Sequence, residues 1–347
     1  MALRIVQWTT GNVGQRSVRA VVAHPGLELV GCYAWSPDKV GRDVGELVGI
    51  DPVGVAATDD VDALLALGAD CVVYNPMWPS TDELVRILEA GVNVVSTAAF
   101  VSGRRDPADR ERIEAACKQG GASMFGSGIS PGFVDLVGIV LAGICDRVDK
   151  VRIDEASDTT LYDSPTTELP CGFGRPIDDP ELPGMAAAGT AVFGEAVALI
   201  ADALGVELDE IVCEAEYAKT TADVVMDSWT IAAGCVAGVF ASWQGKVGGR
   251  TVVELTVRWK KGQTLEPDWP IEEGHVITIE GRPTVRSKLE YLPPPDFEAT
   301  TFQDFMVLGM IMTAMPAIHA IPAVVAAPPG IVTYTDLPLV LPRGVVS

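Results

Sequence analysis

The opening of the chain constrains the fold most. Residues 3–8, Leu-Arg-Ile-Val-Gln-Trp, form a strand-like apolar run. Thr9-Thr10-Gly11-Asn12-Val13-Gly14 follows as a turn, and Val18, Val21 and Val22 then recur at helical spacing until Pro25. Residues 27–34 return to a strand. A strand, a glycine turn, a helix and a second strand make a right-handed βαβ unit, which needs a parallel sheet. The alternation continues with a strand at 70–74. Ser80 and Glu83 form a capping box that opens a helix to Ala90, closed by Gly91. A strand follows at 93–97. Asp106 with Pro107 opens a helix to Gln119, and the next strand is 122–125.

The second half changes character. A strand is expected at 149–157, then a Pro/Gly-rich stretch at 164–184 that is long enough to be a lid, and an apolar helix at 190–204. Longer segments follow at 210–218, 230–247 and 251–259. In the last, Val253, Leu255, Val257 and Trp259 alternate with polar residues, a period of two that calls for antiparallel pairing. Residues 275–280 and 284–292 read as further strands, and 301–319 as a helix. The expected class is α/β: a Rossmann-type doubly wound parallel sheet plus a second α+β domain with a mainly antiparallel sheet. The expected domains are 1–135, with 300–347 packing back on it, and 136–299.

Composition narrows the function. The 347 residues carry 25 basic and 47 acidic side chains, a net charge of −22, which argues against nucleic-acid or anionic-membrane partners. No uninterrupted apolar run reaches about 18 residues. The seven cysteines are scattered singly and the three histidines lie far apart, so neither a disulfide framework nor a metal site is expected. With no leader-like start, the chain reads as a soluble cytoplasmic protein.

A glycine turn opening a helix suits a dinucleotide pyrophosphate, because glycine lets the backbone approach and the helix terminus offers free N–H groups. Thr10, Gly11, Asn12, Val13 and Gly14 are therefore the expected cofactor residues, with Gly11 and Gly14 in the second and third fingerprint positions and Thr9 replacing the first glycine. A bulky residue at Gly14 is expected to abolish binding with the fold retained. After the second strand, neutral Ser36 stands where an NAD site usually has an acid, and Lys39 and Arg42 are placed to meet a 2′-phosphate. NADP is favoured over NAD, although Asp38 is close enough to serve the ribose. Loops beyond later strands contribute Asn75, Pro76, Thr97, Ala98 and Gly128, and Ser130-Pro131 reads as a helix N-cap with its first helical residue.

Gly11-Asn12-Val13-Gly14, the segment from Ser36 to Gly45, Gly91-Val92-Asn93-Val94-Val95-Ser96-Thr97, the loop from Gly126 to Phe133, Ala320-Ile321-Pro322-Ala323-Val324 and Pro329-Gly330-Ile331 together carry a resemblance. They are similar to the dihydrodipicolinate-reductase-like oxidoreductases, in the branch of 2,4-diaminopentanoate and native amine dehydrogenases. The resemblance implies a usually dimeric NAD(P)-linked enzyme acting at a C–N bond, with substrate between two domains. It also implies a catalytic Glu after the fifth strand, where this chain reads Thr97-Ala98-Ala99-Phe100. The His-His pair of true dihydrodipicolinate reductases is absent from the sequence. Asp158 and Tyr162, from the start of the second domain, are the expected substitutes, with Glu155 and Asp163 as further carboxylates. The expected substrate is a small, mostly apolar amine or ketone, with ammonia in the amination direction. The alternatives are a C=O or C=N reductase without ammonia activation and a non-catalytic dinucleotide-binding module. A homodimer is expected because Trp243, Val253, Val257 and Trp259 would leave an apolar sheet face uncovered.

Overall fold

Strand β1 (Leu3–Trp8) enters α1 (Asn12–Ala23) through the glycine turn and returns as β2 (Leu27–Tyr33). Short elements α2 (Val44–Val48), β3 (Ala57–Thr58) and α3 (Val61–Leu65) follow. The alternation then runs β4 (Cys71–Tyr74), α4 (Thr81–Glu89), β5 (Asn93–Ser96), α5 (Pro107–Gly120) and β6 (Ser123–Gly126). Every residue of β4 and β6 is buried, as expected of parallel strands covered on both faces. In this computed structural model residues 2–98, 102–104, 106–298 and 302–345 are described. Ala99 and Phe100, named above for the loop after the fifth strand, lie outside them, as does Thr301.

The caps follow the sequence, with one change. Asp106 accepts from the amides of Ala108 and Asp109 at the start of α5. Ser80 accepts from the Glu83 amide at 3.3 Å, but Glu83 does not reach back to it. The Tyr74 hydroxyl intervenes, accepting from the Ser80 amide at 2.9 Å and donating to Glu83 Oε2 at 2.7 Å. The capping box is half made, and its carboxylate is turned toward the end of β4.

The second unit comprises α6 (Val134–Ala142), β7 (Arg147–Asp158), α7 (Pro165–Glu168), α8 (Leu182–Gly189), α9 (Val192–Ala203), β8 (Glu210–Thr220), β9 (Val224–Val225), β10 (Thr230–Ile231), β11 (Val236–Val247), β12 (Arg250–Lys260), β13 (Leu265–Glu266), β14 (Gly274–Arg282) and β15 (Val285–Leu289). Its seven-stranded sheet has the order β13-β8-β11-β12-β7-β14-β15, and only the β12–β7 pair is parallel. The stretch read as a lid is instead packed structure: Cys171, Phe173 and Leu182 are buried, and the Tyr217 hydroxyl ties Leu182 and Ala186 to the sheet.

The uncovered apolar face is not found. Trp243 Nε1 donates to Thr190 Oγ1 at 2.9 Å, the Phe193 and Trp259 rings lie 6.1 Å apart, and Val253 and Val257 are fully buried. All four residues project to the side that carries α9. Period two then puts the polar partners on the opposite face, where Lys150 and Arg152 meet Glu254, and Thr256 meets Asp154.

The chain closes with α10 (Phe302–Val325) and β16 (Gly330–Val332). The sequence reading missed β16, which pairs parallel with β6 and completes a seven-stranded sheet of order β16-β6-β5-β4-β1-β2-β3. By contacts the chain divides into Met1–Phe133 with Gln303–Ser347, and Val134–Phe302. In α10, Met306–Val325 has the length and mean hydropathy (1.7) of a membrane-crossing helix, though Thr313 and His319 interrupt it. Ala314, Ala317, Ile318, Ile321 and Val324 form a buried stripe along one side of it.

Candidate active site

In the first sheet the strand order reverses between β1 and β4, the switch point at which open α/β sheets bind ligands. A cavity of about 770 Å³ opens there, at the carboxyl ends of β1, β2 and β4. Trp8, Thr9, Thr10 and Gly11 line it from the glycine turn, Tyr33 to Ser36 and Lys39 from beyond β2, and Asn75 to Trp78 with Ser80 and Glu83 from beyond β4.

The turn is built despite the missing glycine. Thr9 has φ +71°, the left-handed region that the first fingerprint glycine normally occupies. Its hydroxyl donates to the Asn75 carbonyl at 3.1 Å, and its carbonyl accepts from buried Gln7 Nε2 at 2.9 Å. Gln7 also donates to Asn75 Oδ1 at 2.8 Å, and Asn75 Nδ2 donates to Thr97 Oγ1 at 2.8 Å. One chain of hydrogen bonds thus links the ends of β1, β4 and β5.

The two glycines differ. A Cβ at Gly14 would lie 2.4 Å from the Thr9 carbonyl oxygen, so Gly14 is where the helix closes on the turn. The expectation that a bulky residue there leaves the fold intact is therefore corrected. A Cβ at Gly11 would meet nothing within 4 Å. Gly11 backbone thus faces open cavity, as a group approaching the helix N-terminus requires. Lys39 Nζ donates to the Thr10 carbonyl at 3.3 Å and Thr10 Oγ1 at 3.2 Å, bringing a cation from the loop after β2 onto the turn. The Ser36 hydroxyl donates to Asp38, and this bond is the main reason the Asp38 carboxyl is held below its ordinary range. These residues fit a dinucleotide.

Of the expected cofactor residues, Thr10, Gly11, Ser36, Lys39, Asn75 and Pro76 line the one cavity. Asn12, Val13 and Gly14 form the first turn of α1 behind it. Arg42, Thr97, Ala98 and Gly128 are not in its wall, and Arg42 is exposed. Ser130-Pro131 is not a cap: Ser130 and Pro131 are extended, Gly132 has φ 137°, and the helix starts at Val134. The cavity residues not foreseen include four aromatics, Trp8, Tyr33, Trp35 and Trp78. The signal for them was their place at or just beyond strand ends.

In the second unit, Asp158 ends β7. Its Oδ1 accepts from the Thr160 amide at 3.0 Å and from the Thr160 hydroxyl, and its Oδ2 accepts from Gln263 Nε2 at 3.0 Å. The Tyr162 hydroxyl is less engaged, accepting from Thr167 Oγ1 at 3.5 Å. Glu155 is held by Trp259 Nε1 at 2.9 Å and His275 Nε2 at 3.1 Å, and Asp163 by the Ser228 amide and hydroxyl. Sequence reading missed Lys261, fully buried, whose Nζ donates to the carbonyls of Thr159 (2.6 Å) and Tyr162 (2.7 Å) and meets Glu168 at 2.6 Å. Burial pushes the Glu168 carboxyl up to about 7 even against this cation. The missed signal was a lysine at a position continuing the apolar alternation of Val253 to Trp259.

A glycine turn and a cavity at the switch point of a parallel sheet, followed by a separate α+β unit, define a two-domain nicotinamide-dependent dehydrogenase. Comparison with known proteins refines the class. Residues 5–125 match the dihydrodipicolinate reductase N-terminal family, and residues 133–346 match the 2,4-diaminopentanoate dehydrogenase C-terminal domain. An amine dehydrogenase from Streptomyces virginiae is 34% identical over 96% of each chain. The 2,4-diaminopentanoate dehydrogenase of Acetoanaerobium sticklandii is 24% identical over 99% of this chain and 95% of its own. The structure of an amine dehydrogenase from Mycobacterium smegmatis shares the fold, with a TM-score of 0.79, 24% identity, and coverage of 99% of this chain and 98% of that one. The chain belongs to the amine dehydrogenase and 2,4-diaminopentanoate dehydrogenase family.

Proposed function

We propose that this protein is an amine dehydrogenase that interconverts a small, mostly apolar amine with the corresponding ketone and ammonia. The observation that carries the reading is the cavity walled by the Gly11 turn and Lys39 in a chain of this family. When bound, the nicotinamide supplies or accepts a hydride. Thr10 and Gly11 would hold the pyrophosphate through turn amides. NADP is the favoured form: neutral Ser36 and cationic Lys39 line the cavity, whereas Asp38 does not. Arg42 is left out of this assignment.

Amination needs a group that moves protons as ammonia adds and water leaves. Tyr162 is our first choice because its hydroxyl carries one long hydrogen bond. Asp158 is the second, and its three bound donors make it as much a clamp on the 158–160 turn as a proton carrier. We further propose a homodimer formed through the polar face of the second sheet, where Lys150, Arg152, Asp154 and Glu254 offer both signs of charge to a self-complementary partner. Seven free cysteines suit a reducing compartment, and we place the protein in the cytoplasm.

NADPH absorbance with a panel of small ketones, with and without ammonia, tests the reading. Ammonia-dependent consumption supports it. Consumption that ignores ammonia makes the protein a C=O or C=N reductase, and binding without turnover makes it a non-catalytic module. Tyr162→Phe should lower ammonia-dependent turnover about 10²-fold or more. Undiminished turnover in both Tyr162→Phe and Asp158→Asn removes these residues from the assignment.

A further inference from the structure

A lysine buried to its tip needs a reason, because a buried ion pair often stabilises a fold no more than packed apolar side chains of the same volume. Lys261 directly follows β12 and is fully buried. Its Nζ donates to the Thr159 carbonyl at 2.6 Å, to the Tyr162 carbonyl at 2.7 Å and to Glu168 Oε1 at 2.6 Å. The Phe173 ring lies 5.8 Å from the same nitrogen. An ammonium has three hydrogens and no acceptor, and here all three hydrogens are engaged. Lys261 is therefore a clamp, not a base or a nucleophile. The backbone beside it grips the same turn. The Lys260 carbonyl accepts from the Thr159 amide at 2.7 Å, and the Gly262 amide donates to Thr160 Oγ1 at 2.7 Å.

What the clamp holds is the support of Tyr162. Thr159 and Tyr162 are the two ends of one turn, closed by the Tyr162 amide on the Thr159 carbonyl at 2.9 Å. Glu168 stands in α7 next to Thr167, whose hydroxyl donates to the Tyr162 hydroxyl at 3.5 Å. Lys261 thus grips the Tyr162 backbone directly and, through Glu168, the helix that carries the partner of the phenol. We propose that Lys261, paired with Glu168, is a positioning residue for Tyr162 that sets the rate of proton transfer and not the affinity for ketone or cofactor. The assignment rests on Tyr162 being the proton carrier proposed above. In that step the adduct of ammonia and ketone breaks its C–O bond and forms C=N. The phenol gives its proton to the departing hydroxyl, which leaves as water, and takes one back from the nitrogen. An apolar side chain at 261 would fill the space but could not fix two carbonyls, leaving the phenol free to shift. A misplacement of about 1 Å can cost about 10²-fold in rate.

Four proteins test this: the wild type, Tyr162→Phe, a double variant with Lys261→Met and Glu168→Gln that removes both buried charges, and the triple variant. Ammonia-dependent oxidation of NADPH with a small ketone gives kcat and KM, and fluorescence titration gives NADPH affinity. Hydrogen–deuterium exchange read by mass spectrometry follows the segment 159–168. The double variant should lose about tenfold or more in kcat, with ketone KM and NADPH affinity within about twofold of wild type. Its segment 159–168 should exchange faster than that of the wild type. In the Tyr162→Phe background the same two changes should cost less than about twofold, because a misplaced phenol and an absent one are lost alike. Losses that multiply independently, or exchange in the double variant equal to wild type, overturn the inference and leave the role of Tyr162 standing. Undiminished turnover in Tyr162→Phe overturns that role, and the inference with it. Should thermal unfolding show that the double variant misfolds, Glu168→Gln alone decides. It keeps an acceptor for Lys261 but exchanges a charge-assisted bond for a weaker one, so kcat should fall about threefold with faster exchange in the same segment. No change in either would overturn the inference.

Discussion

Thr9 explains why the fingerprint is incomplete in letters yet complete in geometry. The left-handed backbone costs a non-glycine residue roughly 1–2 kcal/mol, and here the Thr9 hydroxyl bond to Asn75 and the Gln7 bond to the Thr9 carbonyl hold it. The two remaining glycines separate folding from binding. Gly14→Ala drives a methyl into the Thr9 carbonyl and should destabilise the protein by roughly 1–3 kcal/mol, as overpacking does. Gly11→Ala has open space around the new methyl, so its melting temperature should stay near wild type while NADPH affinity falls by about tenfold, because the methyl stands in the path of the ligand. Chemical denaturation and fluorescence titration of the pair check this. Equal loss of stability in both would remove the distinction. The sequence showed which residues make the turn, since glycine and threonine types are local signals. It did not show which glycine faces the cavity, because that depends on where the Thr9 carbonyl points.

At the scale of elements, the short α2, β3 and α3 went unread, but the longer strands and helices of the first sheet were legible because each carries its own periodicity and caps. The short β16 was not. Gly330-Ile331-Val332 has no pattern of its own and becomes a strand only because β6 offers an open edge. The segment from Ser164 to Gly184 misled for the opposite reason: its prolines and glycines read as loose, while Phe173 and the Glu168–Lys261 pair pin it down. That pair gives a pH prediction. Burial raises the Glu168 carboxyl from its ordinary 4.5 to about 7 in the folded protein. The native state therefore holds a proton that the unfolded chain releases, and the stability this gives is full below pH 4.5 and lost as pH rises through about 7. The shift corresponds to on the order of 3 kcal/mol. Unfolding free energy, measured by denaturant between about pH 5 and 8, should fall with a slope that Glu168→Gln abolishes. A slope unchanged in Glu168→Gln would assign it to other groups.

For the molecule as a whole, charge and assembly pull against each other. Each chain carries −22, so two copies repel at long range. The face proposed for pairing is locally balanced, with Lys150, Arg152, Asp154 and Glu254 already in ion pairs within one chain. Contact at such a face is short-range, whereas the net repulsion acts over a Debye length of about 30 Å at 0.01 M salt and about 10 Å at 0.1 M. Added salt should therefore relieve the repulsion before it weakens the contact. The dimer is expected to tighten as sodium chloride rises from about 10 to about 100 mM, and to plateau or loosen only above that, when the ion pairs themselves are screened. Light scattering across a micromolar dilution series at each salt concentration reads this directly. A monomer mass at every salt concentration would discard the dimer. A dimer that weakens steadily from the lowest salt would keep the assembly but make ion pairs between the copies outweigh the net repulsion even at low salt, and Arg152→Ala would then be the variant that tests them.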